Sequence, residues 1–163
     1  EVRKQIQITI DALKEFKDTQ IVSIFSNSDA GCKLIIDRLK KNNQFNVLPN
    51  IESEDFLSLM KHANAMIGNT SAAIREAPSF SLPAVNIGTR QNKRLRAKNV
   101  IDCEHNKDKI VKALNKALYD KKFLNRLKKI KNPYGDGNSA KKIVDRLLKI
   151  NLKKFNLQKT ISY

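Results

Sequence analysis

Two periods of apolar residues alternate along this chain. In "KQIQITIDALKEFK", residues 4 to 17, Ile6, Ile10, Leu13 and Phe16 fall near one face of a helix. A β-branched run, "QIVSIF" at 20 to 25, reads as a short buried strand. "SNSDAG" follows, with Ser28 or Asp29 placed to cap a helix over 30 to 41. The same alternation then repeats. "FNVLP", 45 to 49, is a second strand, and Ser53 caps a helix to about residue 62 with Phe56, Leu59, Met60 and Ala63 inward. "NAMIG" is a third strand ending at Gly68, "PAVNIG", 83 to 88, a fourth, and "NVIDC", 99 to 103, a fifth. Helices are expected over 107 to 118 and 121 to 129, then a turn cluster "NPYGDGN", then a last helix from Ser139 to about Leu152.

Parallel strands need crossover connections, and helices supply them. The alternation therefore predicts an α/β fold, a Rossmann-like doubly wound parallel sheet with helices on both faces. A length of 163 residues, 40% of them hydrophobic, suits one domain with a sizeable core. That domain is taken as residues 1–150, with 151–163 as a helix end and tail. No apolar stretch approaches the roughly 20 residues that span a bilayer, so no membrane partner is expected. The opening "EVRKQIQITI" has no initiator Met and no signal-peptide core, and it begins inside a helical pattern. This suggests a piece of a longer protein. Cys32 and Cys103 lie far apart and form no CxxC, which favours two buried, reduced thiols in a cytoplasmic protein over a disulfide.

Charge raises a different possibility. The chain carries 32 basic and 16 acidic residues, net +16, a balance that brings nucleic acid to mind. Yet only 6% of residues are aromatic, Trp is absent, and no known nucleic-acid motif spacing occurs. The lysines of "DKKFLNRLKKIK" and "AKKIVDRLLKINLKK" alternate with Leu and Ile at helical spacing. They read as solvated helix faces, so no nucleic-acid partner is expected.

The candidate chemistry lies in "MIGNTSAAIREAPSF", residues 66 to 80. Ligands of doubly wound sheets bind beyond the carboxyl ends of the strands, and Gly68-Asn69-Thr70-Ser71 sits at such an end. A helix starting near Ser71 would leave its first N–H groups unpaired beside two hydroxyls, which together cradle a phosphate. Gly68 permits the sharp turn, and Ala72 and Ala73 leave room. An ordinary N-cap at Thr70 or Ser71 explains the same residues locally. Glu76 adds an acceptor suited to a ribose diol, although a solvated acid is the commoner use of such a position. At the next strand end, "NIGTRQNKRLRAK" sets Arg90 first among five cations, with Lys93, Arg94, Arg96 and Lys98. A guanidinium there suits a diphosphate, and a solvated basic loop explains it equally well.

"MIGNTSAAIREAPSF", "LPAVNIGTRQNKR", "KNPYGDGNSAKKIV" and "FSNSDAG", in their order and spacing, resemble the C-terminal domain of the hydrolysing UDP-N-acetylglucosamine 2-epimerases. The likeness runs from about residue 5 to 149 and is nearest to bacterial variants feeding sialic-acid or legionaminic-acid synthesis. It implies the second half of a GT-B-type enzyme, two Rossmann-like domains across a cleft. It implies a UDP-sugar substrate, no cofactor, no metal, and an N-terminal partner domain. A homo-oligomer is compatible with it. Carried over by motif, Thr70 and Ser71 would hold the diphosphate and Glu76 the ribose hydroxyls, with Asn69 also among the UDP-binding residues. Arg90 and Asn27 would reach the nucleotide-sugar, and Ile51 would meet the uracil edge through its backbone. Thr70 stands where the family usually has Ser, and Gly is common near Ala73. The resembled enzymes expel UDP by elimination across C1–C2 and then add water to the glycal. Their catalytic carboxylates lie in the first domain and their histidine motif upstream of Glu1, so no catalytic residue is expected within these 163 residues. The strand bearing that motif is a central one, so its absence would leave a gap in the sheet. His62 and His105 lack metal-ligand spacing and are expected to be exposed. A GT-B glycosyltransferase domain is the alternative, because a nucleotide cradle does not fix the chemistry.

Overall fold

The structure is a computed structural model that describes residues 1–24 and 31–151. Its helices are α1 (Val2–Leu13), α2 (Cys32–Lys40), α3 (Ser53–His62), α4 (Ala72–Arg75), α5 (Lys107–Tyr119), α6 (Lys121–Leu127) and α7 (Ser139–Leu148). The strands are β1 (Ile21–Ile24), β2 (Phe45–Leu48), β3 (Met66–Gly68), β4 (Ala84–Ile87) and β5 (Val100–Cys103), and a 3-10 turn covers Ala77–Phe80. All five strands lie where the β-branched runs placed them, and every pairing is parallel.

The pairing divides into two sheets. β1 pairs with β2, Ile21 opposite Phe45 through Ile24 opposite Leu48. β4 lies between β3 and β5, with Met66 opposite Ala84 and Ala84 opposite Val100. Among the described residues, β1 and β3 each have a strand on one side only. One five-stranded sheet was expected; among the described residues the strands pair as two sheets. Burial follows the pairing: β4, flanked on both sides, is buried along its whole length, whereas β3 is half-buried throughout.

One core nevertheless serves both sheets. Ile10, Leu13 and Phe16 join Leu39 and Phe45 on one side and Val85, Ile87, Ile110 and Leu114 on the other. α1 packs against both α2 and α5, α2 against β2, and α5 against β4 and β5, so α1 bridges the sheets. Strand alternation sends Ile67 into this core and Met66 to the opposite face. There Met66 meets Met60, Ala77 and Leu82 under α3 and the 3-10 turn. Helical layers therefore cover both faces of the three-stranded sheet, the doubly wound α/β arrangement.

Several local expectations change. α2 begins after Gly31, which has φ +90° and offers no side-chain cap; the expected caps Ser28 and Asp29 lie outside the described residues. Ser53 is the first residue of α3 rather than its cap, and Glu52 precedes it without a capping hydrogen bond. Leu59 and Ala63 point outward, because α3 covers the sheet only through Phe56 and Met60. True side-chain caps occur at Asn106, which accepts from Lys109 N–H, and at Asp120, which accepts from Phe123 N–H. Both cysteines are free and half-buried.

Residues 1–133 form one compact unit and 134–163 a second. In the second, Asp136 accepts from the Asn138 N–H and from Lys142, which hold its carboxyl down at about 2. α7 ends at Leu148 rather than Leu152, and none of its residues is buried. Its lysines are solvated as expected, but so are Ile143, Val144, Leu147 and Leu148. No helix among the described residues is long and apolar enough to cross a membrane.

Candidate functional site

β3 ends at Gly68, whose φ of +145° is open to glycine and strained for other residues. A Cβ there would meet nothing within 4 Å, so the backbone alone sets the preference. Asn69, Thr70 and Ser71 then turn the chain into α4. That helix is a single turn of 4 residues, too short for a macrodipole to add much. What the turn offers is local. The Ala72 N–H reaches Thr70 Oγ1 at a long 3.3 Å. Ser71 occupies the N-cap position in helical conformation, and its hydroxyl makes no capping bond. Its carbonyl accepts from Ile74 and Arg75 N–H. Among the described residues, the N–H groups of Thr70 and Ser71 have no acceptor.

Glu76 closes α4 and leads into the 3-10 turn. Its Oε2 is buried, with no donor among the described residues. Arg75 is exposed, and its carbonyl accepts from Asn132, which also reaches Ser79 Oγ.

The adjoining strand β4 delivers the second element. Gly88, at φ +79°, starts the 88–98 loop, and a Cβ there would lie 2.8 Å from His105 Nε2. His105 is accordingly half-buried, not exposed, and its Nδ1 is buried with no partner among the described residues. His62 is exposed, as expected. Arg90 is exposed just beyond the strand end. Two of the five cations brace the loop: half-buried Arg96 grips both oxygens of Asp102 at 2.6 and 2.9 Å, and exposed Arg94 donates to Gln91 Oε1. Asp102 also accepts from Asn86 Nδ2 at 2.7 Å, a fully buried cross-strand neighbour in the β4–β5 register.

The structure thus brings Asn69, Thr70, Ser71 and Arg90 to the carboxyl ends of adjacent parallel strands, with Gln91 Nε2 donating to the Asn69 carbonyl at 2.6 Å. Glu76 lies on the same segment, one short helix on. Ile51 is half-buried in the loop after β2, at the end of the other sheet, and no hydrogen bond among the described residues ties it to the turn. Asn27 lies outside the described residues. Sequence reasoning missed Gln91, Asn86 and Asp102. A β4–β5 register would have placed Asn86 and Asp102 on one face, but nothing local marks Gln91 as buried amid a basic loop. Cys103, beside Asp102 and Glu104, has its thiol pushed up to about 11, chiefly by burial. No cluster of metal-ligating side chains occurs among the described residues.

The chain is a parallel α/β domain whose Gly-Asn-Thr-Ser turn and braced basic loop lie at adjacent strand ends, where ligands of doubly wound sheets bind. The family profile described as UDP-N-acetylglucosamine 2-epimerase matches residues 1–148, and the chain belongs to that family. It is 36% identical over 142 residues to the "Polysialic acid biosynthesis protein P7" of Escherichia coli, covering 85% of this chain and 36% of that protein. It is 32% identical over 165 aligned positions to the "UDP-N,N'-diacetylbacillosamine 2-epimerase (hydrolyzing)" of Legionella pneumophila, covering 99% of this chain and 42% of that one. Among solved structures, the Neisseria meningitidis UDP-GlcNAc 2-epimerase bound to UDP-GlcNAc superposes with a TM-score of 0.67 at 22% identity, over 90% of this chain and 41% of that one. The chain therefore spans well under half the length of these relatives.

Proposed function

We propose that this chain is the UDP-binding part of a hydrolysing 2-epimerase acting on a UDP-acetamido sugar, releasing UDP and the 2-epimeric free sugar of the N-acetylmannosamine type. The observation that carries the proposal is the pairing of two strand ends. The 68–71 turn and the 88–98 loop sit side by side at the carboxyl ends of β3 and β4, where ligands of such sheets bind. Relatives named as hydrolysing epimerases support the substrate class and the reaction.

In this proposal Thr70 and Ser71 hold the diphosphate through N–H groups and hydroxyls, with Asn69 shaping the turn. Glu76 accepts from the ribose diol, Arg90 faces the diphosphate, and Asn27 and Ile51 complete the nucleotide contacts. These groups stabilise the charge on the departing UDP, the electrostatic share of catalysis. Elimination also needs a base at C2 and an acid on the leaving side. Those come from the facing N-terminal domain, and residues 1–150 act as the binding domain of a cytoplasmic enzyme that needs no cofactor.

Calorimetric titration with UDP, and chromatography after incubation with UDP-N-acetylglucosamine or UDP-N,N'-diacetylbacillosamine, test this. The full-length protein is expected to release UDP and a free 2-epimeric sugar, whereas residues 1–163 alone bind UDP weakly and release none. Sugar transferred to an acceptor instead of to water would replace the proposal with a glycosyltransferase. Release by residues 1–163 that an acid-to-amide change abolishes would move the chemistry into this chain.

A further inference from the structure

Gln91 is only 2% exposed, in a loop otherwise rich in exposed cations. Buried amides need partners, and three contacts hold this residue. Its Nε2 donates to the Asn69 carbonyl at 2.6 Å, its Oε1 accepts from Arg94 at 3.1 Å, and its own carbonyl accepts from Arg96 at 2.6 Å. The orientation of the side-chain amide is forced by chemistry. An arginine only donates and a carbonyl only accepts, so the oxygen must face Arg94 and the nitrogen Asn69. Arg96 is fixed in turn by both oxygens of Asp102, and Asp102 by buried Asn86. A continuous chain of hydrogen bonds thus runs from the interior of β4 to the Asn69 carbonyl.

That carbonyl belongs to the Asn69–Thr70 peptide. The peptide is planar and trans, so its N–H points opposite to its C=O. Holding the carbonyl of Asn69 therefore sets the direction of the Thr70 N–H, which has no acceptor among the described residues. A hydrogen bond on the carbonyl also polarises the amide and strengthens its N–H as a donor.

We propose that Gln91 is a positioning residue for the nucleotide site: it locks the Asn69–Thr70 peptide so that the Thr70 N–H meets a diphosphate oxygen, and it couples that turn to the loop carrying Arg90. This rests on the UDP-binding function proposed above. The ligand chemistry that senses Gln91 is the diphosphate, not the nucleoside.

The test is titration of UDP, pyrophosphate and uridine into the full-length protein and its Gln91→Glu and Arg94→Leu variants. Gln91→Glu keeps the shape but cannot donate to the Asn69 carbonyl when ionised. It is expected to weaken UDP and pyrophosphate by the same factor, about tenfold, the scale of one lost hydrogen bond, while uridine is unchanged. Arg94→Leu, a substitution at an exposed position, frees the amide to turn over and is expected to weaken pyrophosphate by a factor of about two to five without affecting uridine. Should Gln91→Glu fail to fold, the Arg94→Leu result decides alone. Equal loss for uridine and pyrophosphate, or no loss for either, overturns the positioning role and leaves Gln91 as a brace of the fold. A wild-type protein that binds neither UDP nor pyrophosphate overturns the UDP-binding function itself, and the inference with it.

Discussion

Ser71 and Glu76 divide the proposed site between two parts of one ligand. The Ser71 hydroxyl has no capping duty, so its loss should register in binding and not in helix stability. Ser71→Ala is expected to weaken UDP by about 1–3 kcal/mol, the range for a charge-assisted hydrogen bond, with an unchanged unfolding midpoint. Glu76→Gln is expected to weaken UDP and spare pyrophosphate, because the buried Oε2, with no donor among the described residues, suits a hydroxyl and not a phosphate. Calorimetry with both ligands checks the pair, and equal losses would mean that Glu76 does not read the ribose. Gly88 makes a different demand. Gly88→Ala meets both a left-handed backbone and the His105 ring 2.8 Å from the new Cβ. It should destabilise by about 1–3 kcal/mol, and adding His105→Ala should recover only the steric part. Denaturant midpoints of the two single variants and the double variant separate these contributions.

Between elements, the decisive connections are polar and buried. Asn99, fully buried before β5, donates to the carbonyls of Ala73 in α4 and Leu82 before β4. One amide thus fastens the helix after the 68–71 turn to the entrance of the central strand. Asn99→Ala strands two buried carbonyls and should cost roughly 2–4 kcal/mol, measured as a fall in urea midpoint. A loss below 0.5 kcal/mol, the scale of a surface change, would show that water replaces the amide. Such braces explain what the sequence withheld. β-branched runs located all five strands because burial selects those residues locally. The cap of α3 was misplaced, because a helix start is settled by the turn before it: Ser53 is the first helical residue and Glu52 stands at the cap position. The turn at Gly68–Ser71 was legible from its residue types. Gln91 was not, because its burial comes from partners 22 residues back and 3 to 5 residues on.

At the scale of the molecule, local sequence placed the strands but not their pairing into two sheets, since strand order leaves no mark there. The shared core makes the two sheets one cooperative body. Ile10, 1% exposed on the bridging helix α1, should carry both. Ile10→Ala is expected to cost about 2–5 kcal/mol and to lower amide protection in β2 and β4 together. Loss confined to one sheet would mean two cores, contrary to the packing of α1 on both α2 and α5. The strands β1 and β3 are another matter, each paired on one side only among the described residues. A row of peptide groups without a neighbouring strand is a template for any extended segment that drifts by, including one from a second molecule. Like β2 and β5 at the other margins, these rows are short, at 4 and 3 residues, and the chain around them carries a net charge of +16. Like-charged copies repel one another and stay dispersed at low ionic strength. Salt screens that repulsion, so concentrated samples of this chain should cloud as sodium chloride rises, and arginine-rich or acidic buffers should decide how long they keep.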